Sequence, residues 1–552
     1  MNDMTGMRAL SETLGMATEL VVSEIGRVLE VSGSGSRITL DGPVLGLMQN
    51  HPDPALAAAG NIGSHVKIQV SDCWLIGVVR TMRLAEADGD LILAEIEYLG
   101  EGSRTDEPGR FANFRRGVTR YPVPGSRILP VDGEDLKQMF ATDDRAHIEV
   151  GTVYPTSDVR AALYVDSLLG KHFALLGSTG TGKSTATALI LHRICELAPN
   201  GHIVMIDPHG EYADAFRNEG AIFDVSNLAM PYWLMNFEEH CEVLVTTRGD
   251  QRQIDCDILA KCLLAARARN RAAEGLGKLT VDSPIPYLLT DLNTIIQNEM
   301  GKLDKAGNSA PYMRLKTKID EIRADPRYTF MFSGMLVADS MPDFLARIFR
   351  LPGNGKPISI IDVSGVPSDI VSVVVAMLSR MVFDYAIWAR GEEQHPVLLV
   401  CEEAHRYVPS DRVNTGTAVR GVLERIAKEG RKYGVSLGLI TQRPSDLAEG
   451  VLSQCGTIIS MRLNNDRDKN FVKSAMPEGA RGFLDSIPAL RNREAIICGE
   501  GVSIPIRVNF DTLAPEKRPA STDPVFSDLW KRSGGEADML GRVITRWRTQ
   551  GR

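Results

Sequence analysis

An α/β fold with a mostly parallel sheet, carrying a helical insertion and preceded by a small N-terminal β-barrel, is predicted by three observations. An apolar run, His172-Phe173-Ala174-Leu175-Leu176, leads straight into Gly177-Ser178-Thr179-Gly180-Thr181-Gly182-Lys183-Ser184, which has the G-x-x-x-x-G-K-[ST] spacing of a strand, loop and helix that bind a nucleoside triphosphate. From about residue 145 onward, nearly continuous Val/Ile/Leu runs alternate with helical segments, as strands covered on both faces require. From about 20 to 130, short segments instead alternate apolar and polar positions between Gly/Ser/Asp turns, the pattern of a small antiparallel barrel.

Each element follows in order. A short leader, readable as helix, opens the chain. Barrel strands are expected at 25–31, 37–40, 65–70, 74–80 and 91–98, and the segment from Val123 to Asp144 is expected to carry the chain out of the barrel. Sheet strands are expected at 172–176, 202–206, 358–363, 397–401, 436–441 and 457–461. Between roughly 236 and 350, a stretch rich in Arg, Lys, Ala and Leu, including 255–273 and 313–323, reads as an inserted helical subdomain. The tail from Asp511 is polar and ends in an amphipathic helix around 537–548. The expected division is therefore 1–140, 141–510 and 511–552.

A chain of 552 residues is too long for one core. Its net charge of −8 carries no global nucleic-acid signature, so any such contact must be local. The eight cysteines are scattered without a C-x-x-C pair and read as free thiols in a reducing compartment. No basic, apolar leader and no run long enough to span a bilayer is present, so a cytoplasmic protein without a membrane anchor is expected.

The chemistry-bearing residues fall into sets. Amides of the loop at Gly177, Ser178, Thr179, Gly180, Thr181 and Gly182, with the dipole of the following helix, suit a β-phosphate. Lys183 reaches the β- and γ-oxygens, Ser184 is placed to ligate Mg²⁺, and Thr185 follows into the helix. Val397-Leu398-Leu399-Val400-Cys401-Glu402-Glu403 is an apolar strand ending in paired acids. Glu402 is assigned to the metal and Glu403 to the general base. Asp207, His209 and Glu211 follow the strand 202–206 and are candidates for contact with Mg²⁺, water or the γ-phosphate, although a histidine in such a loop is more often a structural hydrogen-bonder. No zinc-ligand spacing accompanies them. Arg431, in Glu429-Gly430-Arg431-Lys432, is the candidate to neutralise phosphate charge from a neighbouring subunit, with Arg425 second. A solvated helix end is the alternative for both. Gln442 is placed to donate to the γ-phosphate or the attacking water, or simply to open the turn that Pro444 signals. Arg462, Arg467, Lys469 and Lys473 line either a DNA path or a solvated face.

Gly177 to Ser184, Asp207-Pro208-His209-Gly210-Glu211-Tyr212, Glu402-Glu403-Ala404-His405, Glu429 to Lys432 and Thr441-Gln442-Arg443-Pro444-Ser445 together resemble the HerA branch of the HerA/FtsK superfamily, over nearly the whole chain. Glu402 stands where most P-loop enzymes place Asp, which resembles the HerA form. The resemblance implies a RecA-like P-loop NTPase core and a HAS-barrel-like docking domain. It implies a homo-hexamer that uses ATP and Mg²⁺ at sites between subunits, with double-stranded DNA through a central pore and a nuclease or sirtuin-like effector on the barrel. An ATP-driven DNA translocase or helicase, in end processing or antiphage defence, is the leading expectation. A ring scaffold that activates a bound effector is the alternative, and a conjugation-type coupling ATPase is disfavoured by the missing anchor.

Overall fold

In the computed structural model, residues 23–85, 88–302, 309–333, 338–411, 417–476, 481–520, 526–531 and 538–549 are described. The expected leader lies outside the described residues. The chain divides into two compact units: residues up to Leu197 with Ser436–Leu513, and Ala198–Val435 with the residues from Ala514 on.

The first unit opens with strands β1 (Gly26–Val31), β2 (Gly35–Asp41), β3 (His65–Val70), β4 (Cys73–Ala85), β5 (Asp88–Arg104), β6 (Phe111–Arg116) and β7 (Arg127–Pro130). Their order is β2-β1-β7-β3-β4-β5-β6, and β2 also pairs with β5, so six strands close into a barrel. The long β5 makes closure possible: Leu91–Glu97 pairs with β2, while Gly100–Arg104 pairs with β6. Apolar positions such as Val28, Ile38, Val66, Ile68, Leu75 and Ile128 fill the interior. β7 corrects the expectation that 123–144 is only a connector, because it bridges β1 and β3 and completes the ring. Four residues ending in proline are too short to show an alternating pattern.

Eleven further strands follow among the described residues: β8 (His147–Val153), β9 (Arg160–Tyr164), β10 (Phe173–Leu176), β11 (His202–Asp207), β12 (Gly220–Phe223), β13 (Ile358–Asp362), β14 (Val397–Cys401), β15 (Val435–Thr441), β16 (Thr457–Met461), β17 (Glu494–Gly499) and β18 (Ile506–Phe510). The six expected sheet strands are β10, β11, β13, β14, β15 and β16. In the first unit the order is β15-β10-β16-β17-β18-β8-β9. There β10 runs parallel to β15 and β16, and every pairing from β16 to β9 is antiparallel. In the second unit β12-β13-β11-β14 are all parallel.

Between β12 and β13 the second unit carries helices Phe237–Leu244, Asp250–Arg267, Leu289–Gly301, Ala310–Ala324 and Met341–Phe349. The expected helix 255–273 starts earlier and stops at Arg267, with a separate 3-10 turn at Arg271–Ala273. Helix Val371–Trp388 follows β13, and among the described residues it is the one long and apolar enough to cross a membrane by length and composition. Many of its apolar side chains, Val373 to Leu378 among them, are core residues. Near the C-terminus the amphipathic helix spans Met539–Thr549.

Candidate active site

In the first unit, parallel register brings the phosphate loop to one strand edge. Leu176 of β10 pairs with Thr441 of β15 and with Ser460 of β16, so Gly177 emerges level with Gln442 and Met461. The loop is pinned on both sides: Ser178 N donates to Arg462 O at 2.9 Å and Gly177 N to Thr441 O at 3.3 Å. Buried Thr181 closes it internally, its hydroxyl donating to Ser178 O at 2.8 Å. Gly182 has φ +98°, a conformation that L side chains rarely adopt. Its carbonyl accepts from Ala186 N at 2.9 Å as helix Lys183–Leu197 begins. Lys183, Ser184 and Thr185, all half-buried, occupy the first turn. The Thr179 hydroxyl donates to Gln442 Oε1 at 2.5 Å, so Gln442 lies against the loop.

Arg493 carried no sequence signal yet belongs to this loop's surroundings. Just before β17 it takes φ +67°, its backbone N donates to Thr181 O at 3.0 Å, and its Cγ lies 3.7 Å from where a Cβ on Gly182 would sit. Of the basic residues after β16, Arg462 donates to Leu490 O and Asn492 Oδ1, Lys469 pairs with Asp466, and Lys473 pairs with Asp485. Arg467 is exposed.

In the second unit, register gathers acids in the same way. Asp207 of β11 pairs with Asp362 of β13, and Ile206 pairs with Cys401 of β14, so Glu402 follows at the level of Asp207. Asp207 is fully buried; Oδ1 accepts from His209 N at 3.1 Å and Gly210 N at 2.9 Å, and Oδ2 from Tyr212 N at 3.0 Å. The carboxylate is thus taken up by its own loop. Gly210 fits because its φ is +68° and a Cβ there would lie 2.9 Å from Asp362 Oδ2. Burial raises the Asp207 pKa, and the Asp362 charge adds to the rise against the lowering effect of the loop amides.

Glu402 is 4% exposed. Its Oε1 accepts from the Tyr212 hydroxyl at 3.1 Å, whereas Oε2 is buried with no hydrogen-bond partner among the described residues. Burial first, then the charges of Asp207 and Glu211, push its pKa up to about 9. Glu403 takes a left-handed conformation, φ 49°, which turns its carboxylate toward His405, whose Nδ1 lies 3.2 Å from Oε2 at ion-pair distance. His209 is exposed, with Arg406 Nη2 3.5 Å from its Nε2. The half-buried Glu211 accepts Ala520 N at its carbonyl, at 2.8 Å. Among the described residues, no three His, Cys, Asp or Glu side chains could hold a metal ion by themselves. An orphaned carboxylate oxygen among acids does fit a cation whose remaining ligands come from phosphate and water, as Mg²⁺ prefers.

Farther along the second unit, helix Thr417–Glu429 ends in the turn Gly430–Tyr433. Arg425 lies over the Phe383 ring, 4.9 Å from its centroid, and 3.6 Å from Glu429. Arg431 is exposed, and its side chain has no hydrogen bond or ion pair among the described residues.

Residues 148–382 match the family described as helicase HerA, central domain. The DNA double-strand break repair helicase HerA of Pyrococcus furiosus is 27% identical over 478 residues, 79% of this chain and 82% of that protein. The chain is HerA-like. Its phosphate loop and strands have the form of a P-loop ATPase core, and a closed barrel precedes them in the chain. The HerA of Saccharolobus solfataricus is 25% identical over 418 residues, 74% of this chain and 77% of that protein. Among solved structures, VirB4 of Thermoanaerobacter pseudethanolicus is 14% identical with a TM-score of 0.49, covering 68% of this chain and 98% of that one.

Proposed function

We propose that this HerA-like chain hydrolyses ATP with Mg²⁺ as a subunit of a hexameric ring that translocates on or unwinds double-stranded DNA. A nuclease or sirtuin-like effector docks on the barrel within residues 1–140, and residues 141–510 form the motor. Two observations, one in each unit, support the reading: a pinned, amide-lined loop ending in Lys183 and Ser184 in the first, and in the second a buried acid, Glu402, that has one oxygen without a hydrogen-bond partner among the described residues. The loop amides and Lys183 hold the β- and γ-phosphates, and Ser184 and Glu402 hold the cation. When bound, Mg²⁺ neutralises charge on those phosphates. Glu403, beside His405, takes the proton of the attacking water, and Gln442, tied to Thr179, senses the γ-phosphate. Similarity to DNA double-strand break repair helicases supports the DNA-directed part.

Glu403→Gln is expected to abolish turnover while sparing ATP binding, measured by phosphate release and by equilibrium binding of a fluorescent ATP analogue. Hydrolysis at the wild-type rate would remove Glu403 from the role of base. Stimulation of ATPase by duplex DNA, with strand displacement, is the outcome expected of a motor. Hydrolysis indifferent to DNA, with a tight stoichiometric effector complex, would instead fit a ring scaffold.

A further inference from the structure

The hydrolytic reading leaves Tyr212 without a task, although it is fully buried in the loop after β11. Its backbone N is fixed by Asp207 Oδ2 at 3.0 Å, and its hydroxyl donates to Glu402 Oε1 at 3.1 Å. The ring therefore spans from the loop of one strand to the acid that ends the next. A buried phenol with no polar partner would be costly, and phenylalanine would fill an apolar slot as well. The hydroxyl is directed instead to one oxygen of a carboxylate whose other oxygen has no partner. Satisfying Oε1 fixes the rotation of the carboxylate and so the direction in which Oε2 points.

We propose that Tyr212 is a positioning residue that holds Glu402 with Oε2 presented to the divalent cation. This rests on the reading of Glu402 as the carboxylate that holds Mg²⁺. Asp207 serves the same end one step back, because its grip on three loop amides sets where the tyrosine starts. Hydrogen bonds to the far side of a metal-holding carboxylate change metal affinity by about 10- to 100-fold when removed.

The test uses the full chain and Tyr212→Phe, which keeps the ring and deletes the donor. Four quantities are measured: the Mg²⁺ dependence of ATP hydrolysis at saturating ATP, Mn²⁺ binding in the presence of ADP by electron paramagnetic resonance, metal-free ADP binding, and the melting temperature. Expected are a rise of about tenfold in half-saturating Mg²⁺ and in the Mn²⁺ Kd, turnover that recovers at high metal, and metal-free ADP binding that does not change. Glu402→Gln is run alongside. If it shifts the metal response and Tyr212→Phe does not, the positioning role is refuted while the reading of Glu402 stands. If Glu402→Gln itself leaves the metal response unchanged, that reading fails and the positioning role falls with it. Should Tyr212→Phe melt earlier, Mn²⁺ affinity measured well below its melting temperature still decides: an unchanged Kd means the hydroxyl serves stability alone.

Discussion

Burial of a titratable side chain turns pH into stability, and His65 of β3 is such a case in the barrel. Its imidazole is buried beside Phe140, Nε2 has no hydrogen-bond partner among the described residues, and desolvation lowers its pKa from 6.5 to about 4. The unfolded chain takes up a proton near pH 6.5, and the folded chain resists until about 4. The contribution is therefore fully present above 6.5 and is lost as pH falls through that window, by about 3 kcal/mol in all. His65→Phe removes this titration. The drop in barrel stability between pH 7 and pH 5 is expected to be smaller in His65→Phe than in wild type, as read by thermal melting at the two values. Equal drops would mean that the histidine reaches solvent in the folded state. His240 of the second unit, lowered to about 3 mainly by burial, keeps part of the acid sensitivity in both proteins.

At the scale of elements, one ion pair joins the helical insertion to the helix after β13. Glu239, in helix Phe237–Leu244, is fully buried and accepts from Arg380 of helix Val371–Trp388 at 2.8 and 3.0 Å. Arg380 also reaches Leu234 O and Asp384. Arg380→Ala leaves a buried carboxylate without its cation and is expected to cost about 3–5 kcal/mol, whereas replacing both partners with apolar residues of similar volume should cost far less. Chemical denaturation of the two variants checks this, and a single variant as stable as the double one would place Glu239 in contact with water. Such pairs explain where sequence reading stops. The strands ending at Asp207 and Cys401 were legible because each is an unbroken apolar run, and the phosphate loop because its chemistry needs contiguous residues. β7, β17 and β18 were not read, since their identity as strands comes from partners distant in the chain. Arg493 escaped for the same reason: only the fold of β17 brings its amide to Thr181. Asp207 was legible as a site residue, but the three amides it binds were not.

At the scale of the whole molecule, the proposed ring calls for a positive charge supplied to each phosphate site by a neighbouring subunit. Arg425 is engaged within its own unit by Phe383 and Glu429, whereas the exposed Arg431 side chain has no partner among the described residues. An arginine that stabilises transferring phosphate of a neighbour must be left available in this way. Arg431→Ala is expected to bind ATP but hydrolyse it slowly, and Lys183→Ala to do neither well. In a mixed ring, an Arg431→Ala subunit supplies an intact phosphate loop and a Lys183→Ala neighbour supplies Arg431. With random mixing about one interface in four combines both, so equal mixtures should recover a measurable share of wild-type turnover. The measurement is ATPase rate against mixing ratio after subunit exchange, with ring formation followed by light scattering. Recovery that peaks at intermediate ratios places Arg431 across the interface. Mixed rings that form yet stay as inactive as either parent would return it to its own subunit, as part of the basic turn Gly430–Tyr433 that follows helix Thr417–Glu429.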